Sequence, residues 1–126
     1  MRHYGLIPEK LEEPNLRSYR TRDILPQKVD LRPKFPTVYD QGPVASCTAN
    51  ALLGAYQYLY PSFEGSRLFL YYIERLADGT VDSDPGSTLS QGVRCLTDTG
   101  VCQESTWPYD ISRLKTRLSD SAYAED

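Results

Sequence analysis

Apolar residues recur at helical three-and-four spacing in two stretches of the chain, and the residues ahead of them show no such period. From Ser46 to Leu59 the run SCTANALLGAYQYL sets Ala49, Leu52, Leu53, Tyr56 and Leu59 on one helical face. A serine at the N-cap position and Pro61 beyond the last turn predict a helix over these residues. The second run, SRLFLYYIERLAD from Ser66, spreads Leu68, Leu70, Tyr71, Ile73 and Leu76 over connected faces. With a capping serine ahead and Gly79 behind, it reads as a helix apolar enough to be mostly buried. GTVDSDPG, from Gly79 to Gly86, is turn chemistry, after which Ser87 to Asp98 reads as a third helix stopped by Gly100. Val101 to Tyr109 is loop or strand, with Trp107 and Tyr109 as wedge residues of the core.

The polar and proline-rich stretches divide the chain further. Five of the nine prolines (Pro8, Pro14, Pro26, Pro33 and Pro36) fall within the first 36 residues. Each removes a backbone donor and fixes its own φ, so residues 1–25 are expected to form an extended arm ahead of a helical lobe over 26–110. Inside this approach Val29-Asp30-Leu31-Arg32 alternates briefly, as a short strand or a segment laid against the body would. The tail, 111–126, carries a weak repeat in Ile111, Leu114 and Leu118 but ends in SDSAYAED, which predicts a short helix followed by frayed residues.

Composition narrows the function classes. A chain of 126 residues, 40% hydrophobic and 25% charged, is one domain large enough to bury a core without disulfide staples. The net charge of -3 is spread among mixed signs, which leaves no footprint for nucleic acid or an anionic membrane. No apolar run approaches the roughly 20 residues of a spanning helix, and MRHYGLIPEKLEEPN lacks the apolar centre of a secretory signal. A soluble, unexported protein, cytoplasmic or otherwise intracellular, is expected. Cys47, Cys95 and Cys102 are an odd set without metal-ligand spacing, and the single histidine, His3, is remote from them. No zinc site and no cofactor are expected, and reduced thiols fit a reducing compartment.

The stretch that carries chemistry is Gln41-Gly42-Pro43-Val44-Ala45-Ser46-Cys47-Thr48-Ala49. A cysteine in a helix is by default a small buried hydrophobe, and Cys95 and Cys102 are read so. Cys47 differs because it opens a predicted helix. Backbone N–H groups and the positive helix end favour a thiolate there, which makes a nucleophile. The preceding loop can return Gln41 towards the sulfur, where its side-chain amide and the Cys47 N–H would face the oxygen of a tetrahedral intermediate. Such a donor is worth about 3 kcal/mol in comparable oxyanion holes.

Q-G-x-x-x-S-C-x-A followed by an apolar helix resembles the active-site segment of the papain-like, C1-type cysteine peptidases. VDLRPKFPTVYDQG resembles the segment that approaches it, and PSFEGSRLFLYYIER the segment after the catalytic helix in bacterial and viral members. GVCQESTWPYD resembles the stretch that closes the helical lobe, and YGLIPEKLEEPNLRSYR the N-terminal extension of non-secreted relatives. The resemblance covers roughly residues 26–110. It implies an α+β but mainly helical fold, the left lobe of the papain-like architecture, with a long helix from the nucleophile and short edge strands. It implies Cys47 as nucleophile, Gln41 as oxyanion-hole donor, and the Gly86 backbone as the group that pairs with an extended peptide substrate. The chain departs from the family at Thr48, where a tryptophan is usual, at Ala45, where a glycine is, and at Val44, which replaces a loop cysteine.

The family places its general-base histidine, with an orienting asparagine, about 130 to 150 residues beyond the cysteine. Only 79 residues follow Cys47, and none is histidine. Acyl-enzyme turnover needs that acid and base. Two functions of different class follow. One is a cysteine endopeptidase lobe whose β-rich second lobe lies elsewhere. The other is a catalytically dead papain-like module that docks in a larger assembly such as a virus particle. A third reading lays the proline-rich arm along the cleft as a plug. Tyr56, Tyr58, Tyr60, Tyr71 and Tyr72 suit a lobe with one face against a protein partner, since such rings put an apolar body inside and a hydroxyl at a wet edge.

Overall fold

The structure, a computed structural model, describes residues 4–10 and 25–124; His3 and most of the arm, including Pro14, lie outside the described residues. Three helices make the body: α1 (Cys47–Leu59), α2 (Arg67–Ala77) and α3 (Leu89–Asp98), and each touches the other two. A single turn, α4 (Asp120–Tyr123), follows in the tail.

Leu68 to Arg75 of α2 are all buried, so α2 is the centre of the lobe. Its start is set by Ser66, whose Oγ accepts from the Phe69 N–H at 3.1 Å and donates to the Trp107 carbonyl at 2.6 Å. One side chain thus caps the helix and ties it to the loop beyond α3. Ala49 and Leu53 of α1, Cys95 of α3, and Val101, Cys102 and Trp107 close around it. Burying a Leu or Phe side chain is worth about 1.5–3 kcal/mol, so the helix-period pattern of α2 specifies the lobe. Leu59 and Leu76 are exceptions: they stand 67% and 50% exposed at the last turns of α1 and α2, past the reach of the core.

Arg75 is wholly buried in α2, and among the described residues no carboxylate forms an ion pair with it. Its guanidinium donates instead to the carbonyls of Val81 (2.9 Å), Ser83 (3.1 Å) and Leu114 (2.6 Å), and lies over the Tyr71 ring at 4.5 Å. A buried cation satisfied this way holds the 81–83 loop and the start of the tail to one helix face. Farther on, Leu118 and Ala122 are buried and Tyr123 meets Phe69 edge to face, so the core reaches past residue 110.

Among the described residues the expected edge strands take the form of two single bridges, Leu6 with Ser87 (parallel) and Gly65 with Gln103 (antiparallel). Val29 to Arg32 is not a strand. The Asp30 carboxylate accepts from the Arg32 backbone N–H at 3.1 Å, and Pro33 then sits in a one-turn 3-10 helix, Arg32–Lys34. A side chain that bonds its own backbone two residues on competes with sheet pairing. The third helix starts at Leu89, two residues beyond Ser87, because Thr88 supplies the cap to the Gln91 N–H at 3.1 Å while Ser87 is used for the bridge to the arm.

Candidate active site

Cys47 is the first residue of α1 and is half-buried, whereas Cys95 and Cys102 are buried. It opens onto a groove of about 660 Å³ that Gln41, Asn50 and Gly54 line with it, opposite Phe35, Val38 and Tyr39 of the approach segment. The fold therefore brings Gln41 and Cys47 to one cavity. Within its loop the Gln41 side-chain amide donates to the Val44 carbonyl at 2.8 Å. A carboxamide has two N–H donors, and this bond takes one.

Ser46 occupies the N-cap position of α1, but its side chain caps nothing. Its Oγ meets the Tyr109 hydroxyl at 2.6 Å and accepts from Asn50 Nδ2 at 2.9 Å. Tyr109 in turn donates to the Gln41 carbonyl at 2.9 Å. On the other side of the loop the Asp84 carboxylate accepts the Ala45 N–H at 3.1 Å from each oxygen, together with the Tyr71 hydroxyl at 2.6 Å. Tyr71 Oη then accepts the Gly86 N–H at 3.1 Å. Burial first, and then the Asp84 hydrogen bond, push the Tyr71 phenol far above its ordinary value, so this hydroxyl stays protonated. Neither Asp84 nor Tyr71 stands out in the sequence, and Tyr109 reads there as a core wedge. The Pro108-Tyr109 pair within GVCQESTWPYD is the one signal that could have singled Tyr109 out.

Gly86 is buried beneath the arm. Its φ is +88°, a region where side chains are strained, and a Cβ would overlap the Gly5 carbonyl. A Cβ at Gly5 would likewise overlap Ala45, so two glycines let three backbones stack beside the nucleophile loop. The arm itself pairs with Ser87: the Ser87 N–H donates to the Gly5 carbonyl at 2.8 Å, and the Ser87 carbonyl accepts the Ile7 N–H at 2.8 Å. Glu9 finishes the contact by accepting from the Ser90 N–H at 2.9 Å and from its hydroxyl, and these bonds hold the Glu9 carboxyl below its ordinary value.

One acid is buried behind the nucleophile. Glu74 of α2 is wholly buried, with Oε2 accepting from the hydroxyl of Thr48, the residue after Cys47, at 2.8 Å. Its Oε1 has no partner and faces Gly92, where a Cβ would crowd it. Burial pushes the Glu74 carboxyl up to about 7, against the opposing pull of Thr48. Burial also raises the Cys95 thiol. Among the described residues, no three His, Cys, Asp or Glu side chains group to hold a metal ion, and no helix is long and apolar enough to cross a membrane.

No family model matches the sequence. A peptidase C1-like protein of Acanthamoeba polyphaga mimivirus is 35% identical over 105 residues, which take in 79% of this chain and 34% of that protein. The crystal structure of xylellain, a cysteine protease from Xylella fastidiosa, superposes with a TM-score of 0.81 at 35% identity, over 97% of this chain and 53% of that one. The chain thus spans about a third of the one relative and about half of the other. Sequence and helical architecture agree: the chain is related to the papain-like, C1-type cysteine peptidases, and it forms a mainly helical lobe of that fold.

Proposed function

We propose that this chain is the nucleophile-bearing lobe of a cysteine peptidase, incomplete until a second lobe supplies the general base. The observation that carries it is Cys47, half-buried at the first turn of α1 on the same groove as Gln41, while the other two cysteines are buried. A Cys47 thiolate would add to a peptide carbonyl, and the oxyanion that forms would face the Gln41 amide and the Cys47 N–H. Proton transfer to the leaving amine falls to the second lobe, since His3 is the chain's one histidine. Beside Arg32 and Thr37, the approach segment lines the groove with Phe35, Pro36 and Val38, and Val38 stands 93% exposed, as a surface awaiting a covering partner would.

Alkylation by iodoacetamide at neutral pH, read by peptide mass spectrometry, tests this reading. Cys47 of the folded chain is expected to react at least about tenfold faster than the same residue in urea, as an activated thiol does. A folded-state rate equal to or below the urea rate sinks the proposal.

One observation favours a second, non-catalytic reading in which the lobe holds an extended strand without cutting it. Both pairing groups of Ser87 are filled by the chain's own Gly5 and Ile7. As a docking module in a larger assembly the lobe would keep a strand there permanently; as a peptidase it would have to release it.

A further inference from the structure

We infer that Tyr109 is a positioning residue whose hydroxyl clasps both ends of the nucleophile loop, Gln41 and Ser46, and so sets where the oxyanion donor stands relative to Cys47. The inference rests on the peptidase reading for its use, but its geometry is independent of that reading. Tyr109 Oη carries one proton. It donates to the Gln41 carbonyl at 2.9 Å, so the Ser46 hydroxyl, 2.6 Å away, is the donor to Tyr109. Ser46 Oγ accepts in turn from Asn50 Nδ2 at 2.9 Å, and Asn50 Oδ1 accepts from Arg67 at 3.3 Å. All four bonds point the same way, from a fixed cation to the Gln41 carbonyl, and bonds in such a series strengthen one another.

The ring itself is held from two sides. Arg67 lies over it at 4.3 Å, and the Glu104 carboxylate accepts the Tyr109 N–H at 2.7 Å while pairing with Arg67 at 3.3 Å. Burial raises the Tyr109 phenol, which keeps its proton in place across the neutral range. The phenol therefore reaches the loop as a rigid two-point clamp. Pro43 and Ala45 fill the span between the clamped ends where the family resemblance implies smaller, looser residues, so the clasp sets the loop's reach at its ends.

The test uses Y109F, which removes the hydroxyl and keeps the ring over Arg67. N-acetylglycinal reports on the oxyanion site: the Cys47 sulfur adds to the aldehyde carbon, a C–S bond forms, and the carbonyl pair moves to oxygen, which takes the thiol proton. Iodoacetamide reports on the thiol alone, because its displacement develops no oxyanion. Y109F is expected to weaken the aldehyde adduct about tenfold while alkylation stays within about twofold, and to speed amide exchange of Gly42, Val44 and Ala45 about tenfold, as loss of a hydrogen bond would. Exchange in the middle of α2 stays unchanged. Unchanged loop exchange overturns the inference, and so does a parallel loss of both reactivities with faster exchange in α2, which would make Tyr109 a fold residue only. If the wild type forms no adduct but Y109F still loosens the loop, the clasp stands and the peptidase reading falls. S46A removes the other end of the clasp without touching an aromatic ring, and carries the same expectations should Y109F fail to fold.

Discussion

Glu74 sits with its carboxyl inside the contact of α1, α2 and α3, one hydrogen bond from Thr48 and with its second oxygen unmatched. Burial is the main cause that lifts it to about 7, and Asp78, just past the end of α2, adds to the lift while Arg75 opposes it. On α3, Cys95 is the titratable group that feels it. From its ordinary value of 4.5 up to about 7 the unfolded chain loses this proton while the folded chain keeps it. The folded state is therefore favoured below that window and loses stability through it as pH rises, by an amount on the order of a few kcal/mol. Thermal melts at mildly acidic and mildly alkaline pH should show a lower melting temperature on the alkaline side, and E74Q, neutral at both, should flatten the difference. An equal fall in E74Q would assign the pH dependence to other groups. At this scale the sequence singles out Cys47 and Gln41 as candidates, because a polar residue spaced ahead of a helix-opening cysteine is a local signal, and the structure puts both on one groove. Glu74 reads in the sequence as one more charge on an amphipathic helix. Its burial follows from Gly92 on α3, which leaves the carboxyl space but no donor.

The arm is the element whose position the structure adds most to. Proline content suggests an extended segment, but where residues 5–9 dock is set by other parts of the chain: Ser87, Ser90, Ala45 and the left-handed turn at Gly86. The contact is parallel, one bridge long and closed by the exposed Glu9, so it is a light clasp that thermal opening can break. Removing residues 1–25 is expected to uncover Ser87 and speed alkylation of Cys47 by a bulky maleimide while leaving iodoacetamide, which is small, nearly unaffected. Equal rates for the bulky reagent with and without the arm would show that the strand lies beside the cleft without obstructing it. Glu9 sharpens the point. Its bonds to Ser90 favour the carboxylate, so this part of the docking is present above the ordinary value of 4.5 and is lost as pH falls through the lowered one. The helices were far more legible than the arm, since a three-and-four period is written within each segment, and the start of α3 moved to Leu89 where Thr88, not Ser87, reached the open N–H.

For the molecule as a whole, the groove beside α1 is the exposed feature. Phe35 and Val38 stand 45% and 93% exposed on a wall that faces Cys47. Replacing both by serine should lower binding of a fluorescent apolar dye while leaving the helical circular dichroism intact; unchanged dye binding would place the sticky surface elsewhere on the lobe. By itself, the sequence determined the three helices, the burial of α2 and the candidacy of Cys47 and Gln41. Each rests on spacing within a few turns of chain, where periodicity and capping act directly on the backbone. Tertiary structure alone decided that Tyr109 clamps the nucleophile loop, that Asp84 and Tyr71 tie Ala45 to Gly86, and that the arm lies on Ser87. Those contacts join residues far apart in the chain, and a hydroxyl or a carboxylate finds its partner only after the helices have packed and excluded water from the space between them.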